Sequence, residues 1–219
     1  MVAHDVSREL RDPHGRWTET PGAGLEKEFR KLVTAGRHSS RAPVQTPTTF
    51  RHPDTGHSMG KSEIGDTFEH LFDARGRHLI EDHFGQPYHM IAGVSGAGTE
   101  GGRSSRGTPL DFRLDETHGG ELKTLNRNAK NQKTAIKKEE TARKRAATDA
   151  AGLKPLLVVQ VVDMENQRVN VFYYPDFSSK AVARMTPLGS YEFNAKDFRD
   201  AQQATGHWEQ RYERARRAG

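Results

Sequence analysis

From residue 62 onward, apolar side chains recur at helical intervals: Ile64, Phe68, Leu71, Phe72, Leu79, Ile80 and Phe84 follow one another at spacings of three, four and seven. This pattern predicts one amphipathic helix or two, bent at Gly76, and Ser62 followed by Glu63 suits the start. Residues 88–94 read as a first strand, and the glycine-rich stretch 93–107 predicts a loop. Two short strands are expected at 109–115 and 119–125, around a turn of Asp115, Glu116, Thr117, His118, Gly119 and Gly120. A stretch rich in Lys, Ala and Glu, 128–151, has no Gly or Pro before Gly152, so it predicts a helix with a glycine stop. Residues 156–162 and 168–174 are the strongest strands, and the polar segment 163–167 between them predicts a hairpin. Beyond Pro175 the pattern is mixed, and a basic helix is expected over 195–217.

Composition divides the chain further. Leu, Ile, Val and Phe make up 39 of 219 residues, about 18%, so one compact core must draw on only part of the length. Residues 1–56 hold few large apolar side chains and many Pro, Thr, His and Arg, a composition that predicts a largely disordered basic N-terminal arm. Within it, Leu25, Phe29, Leu32 and Val33 predict a short helix that docks on the body or on a partner. The expected organisation is therefore an arm (1–56), a core (57–176) and a C-terminal extension with a basic helix (177–219). The absence of cysteine excludes disulfides, thiolate metal sites and cysteine nucleophiles. The longest apolar run, 156–159, is far shorter than the roughly 20 residues that cross a bilayer. With no apolar stretch near the N-terminus either, the expectation is a soluble, intracellular chain without a membrane partner.

The chemistry concentrates in the segment around the 109–125 strands. Side chains alternate along a strand, which places Leu110, Phe112 and Leu114 on one side and Asp111 on the other. Glu121 and Lys123 share a face, with Leu122 opposite. A turn centred at Glu116 sets Asp111 against Glu121 in the neighbouring strand, where two carboxylates repel. A hard divalent cation with oxygen ligands between them would hold the pair, and Lys123 would place an ammonium beside it. Such a group suits metal-dependent attack on a phosphodiester, which needs charge neutralisation and an oriented, deprotonated water. The competing reading is a solvated strand face on which Asp111, Arg113, Glu121 and Lys123 form cross-strand ion pairs.

At these residues the chain resembles the PD-(D/E)XK nuclease superfamily. Pro109-Leu110-Asp111 and Glu121-Leu122-Lys123 carry the likeness, together with the order helix, three strands, helix, strand over residues 60–175. Leu110 between the proline and the aspartate is the one departure. The resemblance implies an α/β fold with a restriction-endonuclease-like core, a central mixed sheet flanked by helices, extended here by an N-terminal arm and a C-terminal helical tail. It implies Asp111 and Glu121 as ligands of Mg²⁺ or Mn²⁺ and Lys123 as the water-positioning or charge-stabilising group. Gly65-Asp66-Thr67-Phe68-Glu69 is similar to the G-x-x-F-E form of archaeal Holliday-junction resolvases and assigns an assisting carboxylate to Glu69, with Glu63 as competitor. The superfamily also places a Gln or Lys on the following helix. Gln132, four residues before Ile136, is the candidate, with Lys130 and Lys133 next.

Charge supports a polyanionic partner. Whereas the whole chain carries +5, residues 123–145 hold nine basic residues against Glu139 and Glu140, a net +7. Arg127, Lys130, Lys133 and Lys137 are the candidate phosphate-tracking residues, and a Lys-rich solvated helix face is the alternative. Gly96 to Gly101 fits G-x-G-x-x-G but leads to Arg103-Ser104-Ser105-Arg106 and then a strand, where a dinucleotide fold needs a helix. Gly60-Lys61-Ser62 lacks the spacing of a phosphate loop, and His52, His57 and His118 lack paired-ligand spacing. Residues 11–17 resemble a short segment of phage head and minor-head proteins. The resulting expectation is an Mg²⁺-dependent endodeoxyribonuclease of phage or prophage origin, acting in the cytoplasm of a bacterial host or associated with the virion, and able to dimerise. The alternative is a non-catalytic phage structural or packaging protein that binds nucleic acid or capsid. An antibacterial effector nuclease would share the chemistry.

Overall fold

The computed structural model describes residues 29–30, 59, 61–91, 110–127 and 134–206. The predicted apolar periodicity after residue 62 forms α1 (Lys61–Leu71), a π-helical turn (Phe72–Gly76) and α2 (Arg77–Phe84), which ends at Gly85 in the left-handed conformation. The expected bend at Gly76 is thus a π-turn, a one-residue insertion into the helix. Next come β1 (Tyr88–Met90), β2 (Phe112–Leu114) and β3 (His118–Asn126). Helix α3 (Lys138–Ala150) leads into β4 (Lys154–Asp163), β5 (Arg168–Tyr174), β6 (Thr186–Glu192) and α4 (Ala195–Ala204). The class is α/β.

All six strands form one mixed sheet in chain order. Neighbours are antiparallel except β3 and β4, which run parallel because α3 carries the chain back between them. Both faces of β4 are covered, which accounts for its continuous burial from Leu156 to Asp163 and for apolar side chains at every position from 156 to 162 but Gln160. One face packs Phe112, Leu122, Val158 and Val171 against Phe68, Leu71, Phe72, Ile80 and Phe198 of the helices. The other gathers Leu110, Leu125, Leu157, Val159, Phe172 and Phe177 with Ile136 from the segment before α3. Phe29 is helical, as expected for 25–33, and is buried on this second face with its ring 4.7 Å from that of Phe172.

Several expectations change. The helix expected over 128–151 begins only at Lys138; residues 134–137 are not helical, and 128–133 lie outside the described residues. The cause is tertiary: Val182 N–H donates to Thr134 Oγ1 (2.6 Å) and Ile136 N–H to the Ser178 carbonyl (2.8 Å), so the segment is tied to the β5–β6 connection. Leu110 does not share the face of Phe112 and Leu114, because the chain bends at Asp111 and sends Leu110 into the opposite cluster. The mixed pattern after Pro175 contains a strand, β6, and α4 packs Phe198 and Ala201 into the core. Of the helix expected over 195–217, residues 195–204 are helical and 207–219 lie outside the described residues.

Candidate metal and phosphate site

The β2–β3 hairpin sets the site. Its register pairs Phe112 with Gly120 and Leu114 with His118, which continues to Asp111 opposite Glu121. Two glycines allow the layers to close here. A Cβ at Gly120 would run into the Phe112 ring, and one at Gly119 would lie 2.8 Å from Leu110 and 3.0 Å from Thr148 of α3. Glu121 therefore sits where α3 comes close to the sheet. Leu122 packs into the first core cluster, whereas Leu125 packs into the second. Glu121 and Lys123 thus lie on the α3 face.

The carboxyl groups of Asp111 and Glu121 meet and are hydrogen-bonded to each other. Asp111 Oδ2 also accepts from the Leu122 backbone N–H at 2.8 Å, which fixes its orientation. Burial raises the pKa of both groups, and that of Glu121 well above the carboxylate range because the charge of Asp111 adds to the effect. Burial and mutual repulsion thus disfavour ionisation of both carboxyls together.

Two ammonium groups approach from the same side. Lys123 Nζ donates to the Ala135 carbonyl at 2.6 Å, and burial lowers its pKa. Lys144 of α3, with 5% of its side chain exposed, donates to Glu121 Oε2 and stands 3.8 Å from Glu140 Oε1. Burial opposes its charge, but Glu121, Asp111 and Glu140 outweigh burial and hold its pKa above the usual lysine value.

Glu69 completes the group from α1. Burial, then the charges of Asp66 and Glu121, push its pKa up to about 7, while Lys144 pulls it down. Its backbone is anchored from β4: buried Gln160 donates to the Phe68 carbonyl at 3.1 Å and accepts from Tyr191 Oη at 2.6 Å. Glu63, the competing carboxylate, is buried elsewhere, and its Oε1 accepts from Gln202 of α4 at 3.0 Å. Tyr88 of β1 is a further neighbour, its ring lying 5.4 Å from that of Phe72 and 5.3 Å from that of Phe112. Burial raises its pKa, helped by the charges of Asp73, Glu69 and Asp111.

The remaining candidates lie apart. Arg127 follows the far end of β3, roughly 20 Å along the strand from Glu121 at about 3.3 Å per residue, and forms an ion pair with Asp163. Lys137 is the exposed N-cap of α3, and Gln132, Lys130 and Lys133 lie outside the described residues. The helical argument that aimed Gln132 from Ile136 fails, because Ile136 is inward-facing but not helical. Lys144 went unrecognised as a site residue. Its signal is the stripe Thr141, Lys144, Thr148, the three buried residues of α3 at spacings of three and four.

Among the described residues, no group of three or more His, Asp or Glu is arranged to hold a metal ion. Two converging carboxylates nevertheless fit Mg²⁺, which commonly takes one or two carboxylates and completes its shell with water and phosphate oxygens. The Lys144 ammonium on Glu121 is a cationic partner already in place at one of the two carboxyls. Among the described residues no helix is long and apolar enough to cross a membrane. No protein-family model, curated protein or solved structure matches the chain.

Proposed function

We propose that the chain is a metal-dependent endonuclease that hydrolyses DNA phosphodiester bonds with a PD-(D/E)XK-type site. The observation that carries this reading is the meeting of Asp111 and Glu121 on the hairpin, with the Lys123 and Lys144 ammonium groups beside them. A helix followed by three antiparallel strands, a crossover helix and a parallel strand supports the superfamily reading. Asp111 and Glu121 would hold Mg²⁺ or Mn²⁺, which when bound neutralises phosphate charge and acidifies water. Lys123, its pKa lowered by burial, orients water and stabilises charge on the phosphoryl group. Glu69, near 7, exchanges a proton close to neutral pH. Exposed Lys137, Lys138 and Arg143 supply positive charge for the DNA backbone.

Incubation of supercoiled plasmid with Mg²⁺ or Mn²⁺ tests the reading. Cleavage is expected for the unmutated chain, with losses of at least about 100-fold in Asp111→Ala and Lys123→Ala, the scale on which a single electrostatic group acts. Equal cleavage by all three would remove the assignment. DNA binding without cutting would favour a non-catalytic packaging or structural role.

A further inference from the structure

We propose that Lys144 is a switchable counter-ion: on Glu121 its ammonium holds the place of a divalent cation, and Glu140, one helical turn earlier, receives it when a cation binds. The proposal rests on the metal-site reading and adds to it a device that controls occupancy.

Lys144 Nζ faces two carboxylates of unequal burial. Glu121 is 15% exposed and in direct contact, whereas Glu140 is 34% exposed and 3.8 Å away. Both partners are reached from one fixed Cα, so exchange needs only rotation of the lysine side chain and no movement of α3. The spacing of Glu140 and Lys144, with the acid four residues before the base, is the favourable helical order. Glu140 also lies in the first turn of α3, where a carboxylate is favoured by the helix dipole. Lys123 also lies near Glu121 and Glu140, but its Nζ is held at 2.6 Å by the Ala135 carbonyl.

The geometry makes the switch necessary. Lys144 Nζ is in contact with Glu121, one of the two carboxylates that would hold the cation. A dication held there would stand beside that ammonium on a shared carboxylate, and like charges at such separation in a buried place repel strongly. Transfer to Glu140, 3.8 Å from Nζ, relieves the repulsion.

Calorimetric titration with Mn²⁺ in a double-mutant cycle tests the switch. Lys144→Met should bind Mn²⁺ at least about tenfold more tightly, and Glu140→Gln about three- to tenfold more weakly. In the Lys144→Met background, Glu140→Gln should have at most a small effect, because the Lys144 ammonium is no longer there to receive. Affinity of Lys144→Met equal to or below that of the unmutated chain overturns the switch. So does an equal effect of Glu140→Gln in both backgrounds, which would make Glu140 a plain charge. If Lys144→Met does not fold, NMR of the lysine ¹³Cε groups in the unmutated chain decides: the Lys144 signal must move on Mg²⁺ saturation, and a stationary signal overturns the proposal. Failure of both the folded unmutated chain and folded Lys144→Met to bind Mn²⁺ would instead remove the metal site itself.

Discussion

Helices α1 and α3 approach the acidic hairpin from opposite layers, each delivering one ionisable side chain to it, yet they are held by different forces. Helix α1 is anchored by apolar burial through Phe68 and Leu71, with Phe72 in the adjoining π-turn, all fully buried. Helix α3 buries Thr141, Lys144 and Thr148 and no large apolar residue. Glu69 therefore stands on a helix that would be fixed without it, whereas Lys144 is part of what fixes its own helix. Stability and chemistry are separable in one layer and coupled in the other.

The sharpest break of this contrast is Phe68→Ala, expected to cost about 3–5 kcal/mol of unfolding free energy by denaturant titration, with little dependence on pH. Lys144→Met should cost about 2–4 kcal/mol at pH 8, because it leaves buried carboxyl charge without its counter-ion. The loss should be smaller at pH 5, because burial shifts Asp111 and Glu121 towards their uncharged, protonated forms. A loss of equal size at both pH values would mean that α3 is docked by shape alone.

Glu69 gives the opposite sign. Its folded pKa of about 7 lies above the ordinary 4.5, so the folded chain binds more protons than the unfolded one between these values, and stability falls as pH rises through that window. The penalty is complete above pH 7 and absent below about 4.5. Glu69→Gln should therefore raise stability at pH 8 by an amount on the order of 1–3 kcal/mol and leave it unchanged at pH 4. Thermal melts at the two pH values measure this directly. The smallest effect is expected from Arg145→Ala. It breaks an exposed pair with Asp176 and should cost less than about 1 kcal/mol, showing that α3 is not held by its surface charges.

The hairpin was legible because alternation and turn-centring are local rules: they place Asp111 opposite Glu121 and put Glu121 and Lys123 on one face, as the register and the two core clusters have it. Strand β5 was legible at both ends for the same reason. The start of α3 was not, because helix-forming Ala135 and Lys137 are overruled by hydrogen bonds that tie Thr134 and Ile136 to a segment more than 40 residues away. Strand β6 was hidden by Pro187 and by Gly189 at φ 143, both tolerated on an edge strand beside a register shift. Lys144 was hidden by its type, since a lysine in a Lys-rich helix reads as exposed, and only its neighbours Thr141 and Thr148 mark the inward stripe.

The parallel pairing of β3 with β4 imposes an order of assembly. A hairpin closes in microseconds, so the two acids can meet early, but their balancing ammonium arrives only after the crossover through α3 has been completed and β4 has zipped alongside β3. Until then the nascent hairpin is self-repelling, and its closure is rewarded late, by a contact distant along the chain. Refolding of this protein should accordingly quicken in mildly acidic buffer, which quiets the repulsion before the lysine comes.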